Sequence, residues 1–164
     1  QAGIRISRAG LHNIERKLIS DENDKKIKRL TKKFDRVLVD APCTGTGTWR
    51  RDPDTRAKYS DLDLENMMSL QDRILASAAR LTKPGGCLVY VTCSLLREEN
   101  EDRIIALLSR RKDYKIVPIP KIWDEQVTVK GGGKCPTNSE MLRLTPKEHN
   151  TDGFFAAVLR RDLD

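Results

Sequence analysis

Residues 34–47, FDRVLVDAPCTGTG, decide the fold. Residues 35–40 read as a strand, with Val37, Leu38 and Val39 apolar on both faces. Such a run suits a parallel sheet covered on both sides. Pro42, Gly45 and Gly47 end the run in a turn. Asp40 and Cys43 are crowded onto that end, so the chain stops packing where an acid and a thiol stand.

Working outward, a long charged loop follows the cysteine. Ser60 with Asp63 three residues on forms a capping-box-like start. Leu64, Met67, Met68, Ile74, Leu75, Ala78 and Ala79 then recur at helical spacing to about Leu81. Pro84-Gly85-Gly86 punctuates, and CLVYVTC at 87–93 predicts a second buried strand. A helix over 98–111 would turn Ile104, Ile105, Leu107 and Leu108 inward. YKIVPI at 114–119 predicts a strand, residues 120–152 read as irregular with GGGK at 131–134, and a strand over 153–160 closes the pattern. Upstream, residues 1–13 end a helix at Gly10 and Asn13, RKLI at 16–19 predicts a short strand before a Ser20-Asp21 turn, and 25–33 is a basic amphipathic segment. Strand, helix, strand, helix, strand predicts an α/β fold with a mostly parallel sheet. The last strand follows its neighbour without a helix and is expected to run antiparallel.

The 164 residues are expected to form one domain. No apolar run approaches the ~20 residues that span a bilayer, so no membrane partner is expected. The first ten residues carry no signal-peptide pattern. Net charge is +7, and the excess is local: residues 1–36 hold 11 Lys/Arg against 5 Asp/Glu, and the other 128 hold 20 against 19. A local basic excess suggests a polyanion such as nucleic acid, or else a solvated helix face in KKIKRLTKK. The four cysteines, Cys43, Cys87, Cys93 and Cys135, form no C-x-x-C pair, and only His12 and His149 accompany them. A structural zinc site is not expected. Reduced thiols in a cytoplasmic setting are.

Cys43 and Cys93 stand apart from the other two. The strands ending at Asp40 and at Cys93 are joined by one crossover helix, and such strands are often neighbours, about 4.8 Å apart. Their carboxyl ends then emerge side by side, where open α/β sheets hold their ligands. Two thiols and Asp40 are therefore expected at one cleft. Cys87, at a strand start, reads as a small buried apolar residue. Neither histidine is placed by pattern beside a thiol, as a nucleophilic dyad would need, and a redox pair would ordinarily come as C-x-x-C. Nucleophilic addition to an electron-poor ring, with the second thiol managing a proton, is the third possibility.

DAPCTGTGTWRRDPD at 40–54, followed by GGCLVYVTCSLLREENE at 85–101, resembles the Sun/Fmu family of S-adenosylmethionine-dependent RNA cytosine-C5 methyltransferases, with its D-A-P-C-S/T-G-x-G and T-C-S-x-x-x-E-E-N-E elements. Asp152 and GFFAAVLRR at 153–161 resemble the family's D-G-F-F-x-A finish. The resemblance runs from about Ala9 to Arg160 and implies a Rossmann-like methyltransferase fold. It implies that Cys93 attacks C6 of a cytosine in RNA, rRNA or tRNA, with rRNA of a bacterial cytoplasm the first expectation, and that Cys43 assists loss of the C5 proton and release of the adduct. It implies that Asp40 contacts the cofactor and the cytosine, that Asp21 lies beside the cofactor's adenine, and that Pro42 shapes the base pocket. Trp49, Arg50, Arg51, Arg56 and Lys58 follow in a loop suited to stacking and phosphate contact.

The family's glycine-rich cofactor loop and ribose-holding acid have no counterpart here, since TGTGT at 44–48 follows the catalytic strand and lacks G-x-G-x-x-G. The chain is expected to be the later part of a catalytic domain, with an exposed sheet edge able to pair with a second copy. Weak cofactor affinity and no activity alone are expected of it. Two other readings remain open: a methyltransferase of exocyclic amines, which commonly carries D/N/S-P-P-Y/F/W in place of D-A-P-C, and a non-catalytic RNA-binding module.

Overall fold

The computed structural model describes residues 2–58 and 60–163, apart from the side chains of residues 2, 55, 57 and 58. In chain order the elements are α1 (Ala2–Arg8), α2 (Lys25–Lys28), β1 (Phe34–Asp40), α3 (Asp61–Leu81), β2 (Thr82–Thr92), α4 (Glu101–Arg110), β3 (Tyr114–Ile116), α5 (Ile119–Gln126), β4 (Leu142–Leu144), α6 (Pro146–His149) and β5 (Phe154–Arg161). Short 3-10 turns occupy Thr46–Thr48, Pro53–Lys58, Arg97–Glu99 and Thr128–Lys130.

β1 and β2 pair in parallel, with Asp40 beside Val91, and β5 pairs antiparallel with β2, with Phe155 beside Thr92. The far edge of β5 is shared: β3 pairs along its end near Arg161 and β4 along its start near Phe154, both antiparallel. Four strands thus point one way and β5 alone runs against them. The parallel neighbours are the pair that α3 connects.

One face of this sheet is dry. Val39, Leu88, Tyr90, Phe155, Ala157 and Leu159 pack against Leu75, Ala78 and Ala79 of α3 and Ile104 and Leu107 of α4. Burying each large side chain contributes on the order of 1.5–3 kcal/mol, so this layer fixes how α3 and α4 lie. α3 starts as its sequence predicts, with Ser60 accepting from the Asp63 amide and Asp63 accepting from that of Ser60. Its far end is closed by the chain entering β1, whose Lys32 and Lys33 amides donate to the carbonyls of Arg80 and Leu81. α3 and β1 are therefore tied at both the packing and the backbone level.

Several expectations are corrected. Leu38 is 67% exposed, because β1 lies at the edge of the described sheet and its side chain faces away from the α3–α4 layer. Residues 16–19 form no strand, and Leu18 is 88% exposed, because no described strand lies alongside to pair with them. The basic segment is helical only over four residues, Lys25–Lys28. β2 begins at Thr82 rather than 87, running through Pro84 and the two glycines. The helix expected over 98–111 is a 3-10 turn followed by α4, and Ile105 faces outward at 52% exposure. The strand at 114–119 stops at Ile116, since Pro118 has no amide proton to continue a ladder. Residues 120–152 are not irregular throughout: they hold most of α5, β4 and α6. Cys87 is half-buried and lines a cavity of about 520 Å³ with Arg36, Val89, Val158 and Arg160, on the face opposite α3.

Candidate active site

The carboxyl ends of β1 and β2 bring Cys43 and Cys93 together, their Sγ atoms 3.3 Å apart. Neither is in a disulfide and both are partly exposed. Register accounts for the meeting: Asp40 pairs with Val91, and the Ala41 amide donates to the Val91 carbonyl at 3.0 Å, so the two chains leave the sheet in step. Gly45 then turns the first chain back with φ of +69°, a conformation that a side chain would strain. Gly47 completes the return. Its amide donates to the Cys93 carbonyl and its carbonyl accepts from the Gly153 amide, each at 2.9 Å. A Cβ on Gly47 would lie 2.5 Å from the Gly153 oxygen and 2.6 Å from the Cys93 oxygen, so no other residue fits that crossing.

The two thiols are not equivalent. The Cys43 thiol hydrogen-bonds to Cys93, which lowers the Cys93 pKa from the ordinary thiol range to about 7, against burial and the charges of Asp40 and Glu99. The same contact, with burial, pushes Cys43 upward. The contact thus favours the thiolate on Cys93 and the proton on Cys43.

A buried polar frame holds both turns. Glu99 and Asn100, both fully buried, sit where the turn after β2 enters α4. Glu99 Oε1 accepts from the Thr44 amide at 2.8 Å and from Gln71 Nε2 at 3.0 Å, while Oε2 accepts from the Thr44 hydroxyl at 2.5 Å. Gln71, buried in α3, also donates to the Pro42 carbonyl at 2.9 Å. Asn100 donates to the Ser94 carbonyl at 2.9 Å and accepts from the Thr92 hydroxyl at 2.6 Å. The Tyr90 hydroxyl donates to the Glu99 carbonyl at 2.7 Å, anchoring the frame to β2. The Glu99 carboxylate and the Asn100 amide are bonded at both ends, while Gln71 Oε1 is buried without a partner. Glu99, Asn100 and Gln71 were not legible as site residues: the first two were visible only as part of the E-E-N-E element, and Gln71 lay unmarked in an amphipathic helix.

Asp21 and Asp40 both line a cavity of about 640 Å³ at the β1 edge, with Leu38, Val39, Ile74 and Ala78 among others, and neither thiol lines it. The loop carrying Asp21 is docked on α3: Glu22 pairs with Arg73 Nε at 2.6 Å, and its carbonyl accepts from the Ser77 hydroxyl at 2.7 Å. Pro42 is exposed beside the thiols. Arg51 and Arg50 converge on Asp152, at 2.5 and 3.7 Å, leaving both guanidinium side chains about two-thirds exposed at 67% and 69%. Trp49 donates from Nε1 to the Thr44 carbonyl at 3.3 Å, and Arg56 is exposed. The side chain of Lys58 lies outside the described residues. His149 is spent on the Thr145 amide and the Pro136 carbonyl, and His12 is exposed in the segment after α1. Among the described residues no cluster of His, Cys, Asp and Glu is arranged to hold a metal ion, and no helix is long and apolar enough to cross a membrane.

The sequence profile of the family described as 16S rRNA methyltransferase RsmB/F matches residues 5–160. Ribosomal RNA small subunit methyltransferase B of Shewanella oneidensis is 39% identical over 126 residues, which are 77% of this chain and 27% of that protein. Ribosomal RNA small subunit methyltransferase F of Cronobacter sakazakii is 33% identical over 156 residues, 95% of this chain and 31% of that protein. The chain therefore spans less than a third of the length of either relative. A solved methyltransferase homolog protein from Pyrococcus horikoshii matches with a TM-score of 0.73 and 33% identity, over 97% of this chain and 48% of that one. NSun6 from the same organism, solved with SFG, matches with a TM-score of 0.74 and 28% identity, over 99% of this chain and 38% of that one. The fold is that of these methyltransferases, and the profile match takes in both thiol-bearing strand ends: the chain belongs to the 16S rRNA methyltransferase RsmB/F family.

Proposed function

We propose that this chain carries the thiol half of an S-adenosylmethionine-dependent methyltransferase that acts on C5 of a cytosine in small-subunit rRNA. The observation that supports it best is the paired thiols, one holding a proton against the other at 3.3 Å. Cytosine C5 is a poor nucleophile by itself, and covalent activation at C6 lowers that barrier. Cys93, ionised near neutral pH, attacks C6, forming a carbon–sulfur bond and moving the ring's electron pair onto C5, the methyl-accepting carbon. Its negative charge is consumed in the attack, which removes one of the causes holding the Cys43 pKa up. Once the pair on C5 has bonded the methyl group that the cofactor would supply, C5 carries both methyl and hydrogen, and Cys43, having lost its proton to solvent, takes that proton from C5. The electron pair of that bond restores the C5–C6 double bond, and Cys93 leaves as thiolate.

The cavity at the β1 edge fits part of the cofactor: an apolar floor of Val37, Val39, Ile74 and Ala78 suits an adenine ring, and Asp21 and Asp40 supply acceptors at its margin. When bound, S-adenosylmethionine supplies an electrophilic methyl group on a sulfonium. The charge of Asp40 reaches Cys93, so in this reading Asp40 also holds the base, with Pro42 as a wall beside it. The target must be unpaired or flipped to reach the thiols. Trp49, Arg50, Arg51 and Arg56 offer stacking and phosphate contacts along its path.

The test is a covalent protein–RNA complex, resistant to denaturant, formed by the complete enzyme with S-adenosylmethionine and small-subunit rRNA. Cys43→Ala is expected to trap the complex and Cys93→Ala to abolish it. A complex formed by the Cys93 variant would reverse the roles. Methyl found on the exocyclic amine, or salt-sensitive RNA binding with no turnover, would replace the reaction altogether.

A further inference from the structure

We infer that the adjacent residues Glu99 and Asn100 divide the positioning of the two thiols between them: Glu99 sets Cys43 and Asn100 sets Cys93. The inference rests on the two-thiol reading above and assigns separate steps of that reaction to neighbouring residues.

The partition is visible in who bonds to whom. All three hydrogen bonds to the Glu99 carboxylate come from the Cys43 side or from α3: two from Thr44, immediately after Cys43, and one from Gln71. Gln71 in turn holds the Pro42 carbonyl, immediately before Cys43. The residues on both sides of Cys43 are thus fixed by one Glu–Gln pair. Asn100 does the same for the other thiol. It bonds to the Thr92 hydroxyl and to the Ser94 carbonyl, and the Thr92 hydroxyl also accepts from the Ser94 amide at 3.1 Å. The Ser94 carbonyl is only an acceptor, so the orientation of the Asn100 amide follows from the network.

Neither residue supplies an atom to the reaction. Both act through the backbone that carries a sulfur. A carboxylate suits position 99 because three donors converge on it. An amide there would turn an NH2 group toward one of them. A displacement of about 1 Å at a reacting group costs on the order of a hundredfold in rate, so a loosened Thr44 turn is enough to disable one thiol while the other stays in place. Glu99 has a second, opposing influence, since its negative charge works against ionisation of Cys93. Loss of charge alone would therefore favour the attacking thiolate. Loss of position would impair the releasing thiol.

The experiment measures formation and decay of the covalent protein–RNA complex separately, in single-turnover reactions of the complete enzyme with S-adenosylmethionine and small-subunit rRNA. Glu99→Ala is expected to form the complex within about threefold of the wild-type rate and to release it at least about tenfold more slowly, accumulating complex as Cys43→Ala does. Asn100→Ala is expected to slow formation at least about tenfold without accumulation. Glu99→Gln keeps an acceptor for the Thr44 amide and is expected to recover part of the release rate. A merely structural defect would lower the active fraction and reduce both steps together, so equal slowing of both steps in Glu99→Ala, or turnover without accumulation, overturns the assignment. If Glu99→Ala fails to fold, Thr44→Val, which removes one donor only, carries the same test: slowed release with formation retained supports it, and unchanged release overturns it. Failure of the underlying reading is seen elsewhere, as a complex that still forms without Cys93. If Cys93→Ala abolishes and Cys43→Ala traps while Glu99→Ala releases normally, the division of labour alone falls.

Discussion

Cys43 and Cys93, 50 residues apart in sequence, hold their sulfur atoms 3.3 Å apart, and the Cys43 thiol stabilises the Cys93 thiolate. The Cys93 pKa of about 7 means that its reactive form grows as pH rises through neutrality and is lost below it. Alkylation of Cys93 by iodoacetamide, followed by peptide mass spectrometry across pH 5 to 10, is expected to show a midpoint near 7. Cys43→Ala removes the donor, so the midpoint moves up toward the ordinary thiol range. An unchanged midpoint in that variant would mean that the charge of Cys93 is set by something other than its neighbour.

Gly47 and Gly153 cross backbone to backbone beside this pair. Alanine at 47 would push its Cβ to 2.5 Å from the Gly153 oxygen, and backbone on both sides leaves nothing flexible to yield. Gly47→Ala is expected to destabilise by about 2 kcal/mol, the scale of an overpacked site, and to raise the Cys93 alkylation midpoint by displacing its turn. Gly133 has open space where a Cβ would go, so Gly133→Ala serves as the control and stays within about 0.5 kcal/mol. Equal urea midpoints for the two variants would argue that the crossing is loose.

How much of this was legible in the sequence depends on whether the signal was local. The capping box at Ser60, the helix to Leu81 and the two strand ends are local patterns, and together they place Cys43 beside Cys93 before any coordinate is known. Leu38 misled because an apolar residue does not announce which face of a strand is covered. That depends on which neighbours lie alongside. The RKLI segment has strand composition but no partner to pair with among the described strands. Glu99 and Asn100 escaped for another reason: acids and amides at a helix start are ordinary capping chemistry. Only the burial of both, and bonds reaching 55 residues back to Thr44, separate a frame from a cap.

Arg73 offers a way to reach the cofactor side without touching the thiols. Its Nε holds Glu22 at 2.6 Å, and with Ser77 it seats the loop that presents Asp21 to the cavity at the β1 edge. Its guanidinium is half exposed, at 50%, so the ion pair itself contributes little to overall stability. Arg73→Ala is therefore expected to raise the KM for S-adenosylmethionine severalfold in the complete enzyme, with kcat changed less and the thermal midpoint nearly unchanged. A fall in kcat at constant KM would place the loop's role in the chemical step instead.

Asp113 ties the end of α4 to the end of the sheet, and its protonation gives stability a measurable acid limb. Arg111 grips it with two hydrogen bonds, at 2.7 and 2.8 Å, and the buried Arg161 adds an ion pair at 3.0 Å. These guanidinium groups, Arg111 first, lower its pKa from 3.8 to about 2. The folded-state value is depressed, so the stabilisation is complete above the unfolded pKa of about 4 and is lost as pH falls through about 2. Full linkage for that shift would be about 2.4 kcal/mol, but the carboxylate is 35% exposed, and solvent screening reduces the expectation to about 1 kcal/mol. Urea unfolding of wild type and Asp113→Asn is expected to differ by about that amount at pH 6 and by clearly less at pH 3. A difference that stays constant from pH 6 to pH 3 would show that the variant acts through packing or the Asp162 amide held by the Asp113 carbonyl, rather than through the carboxylate's charge.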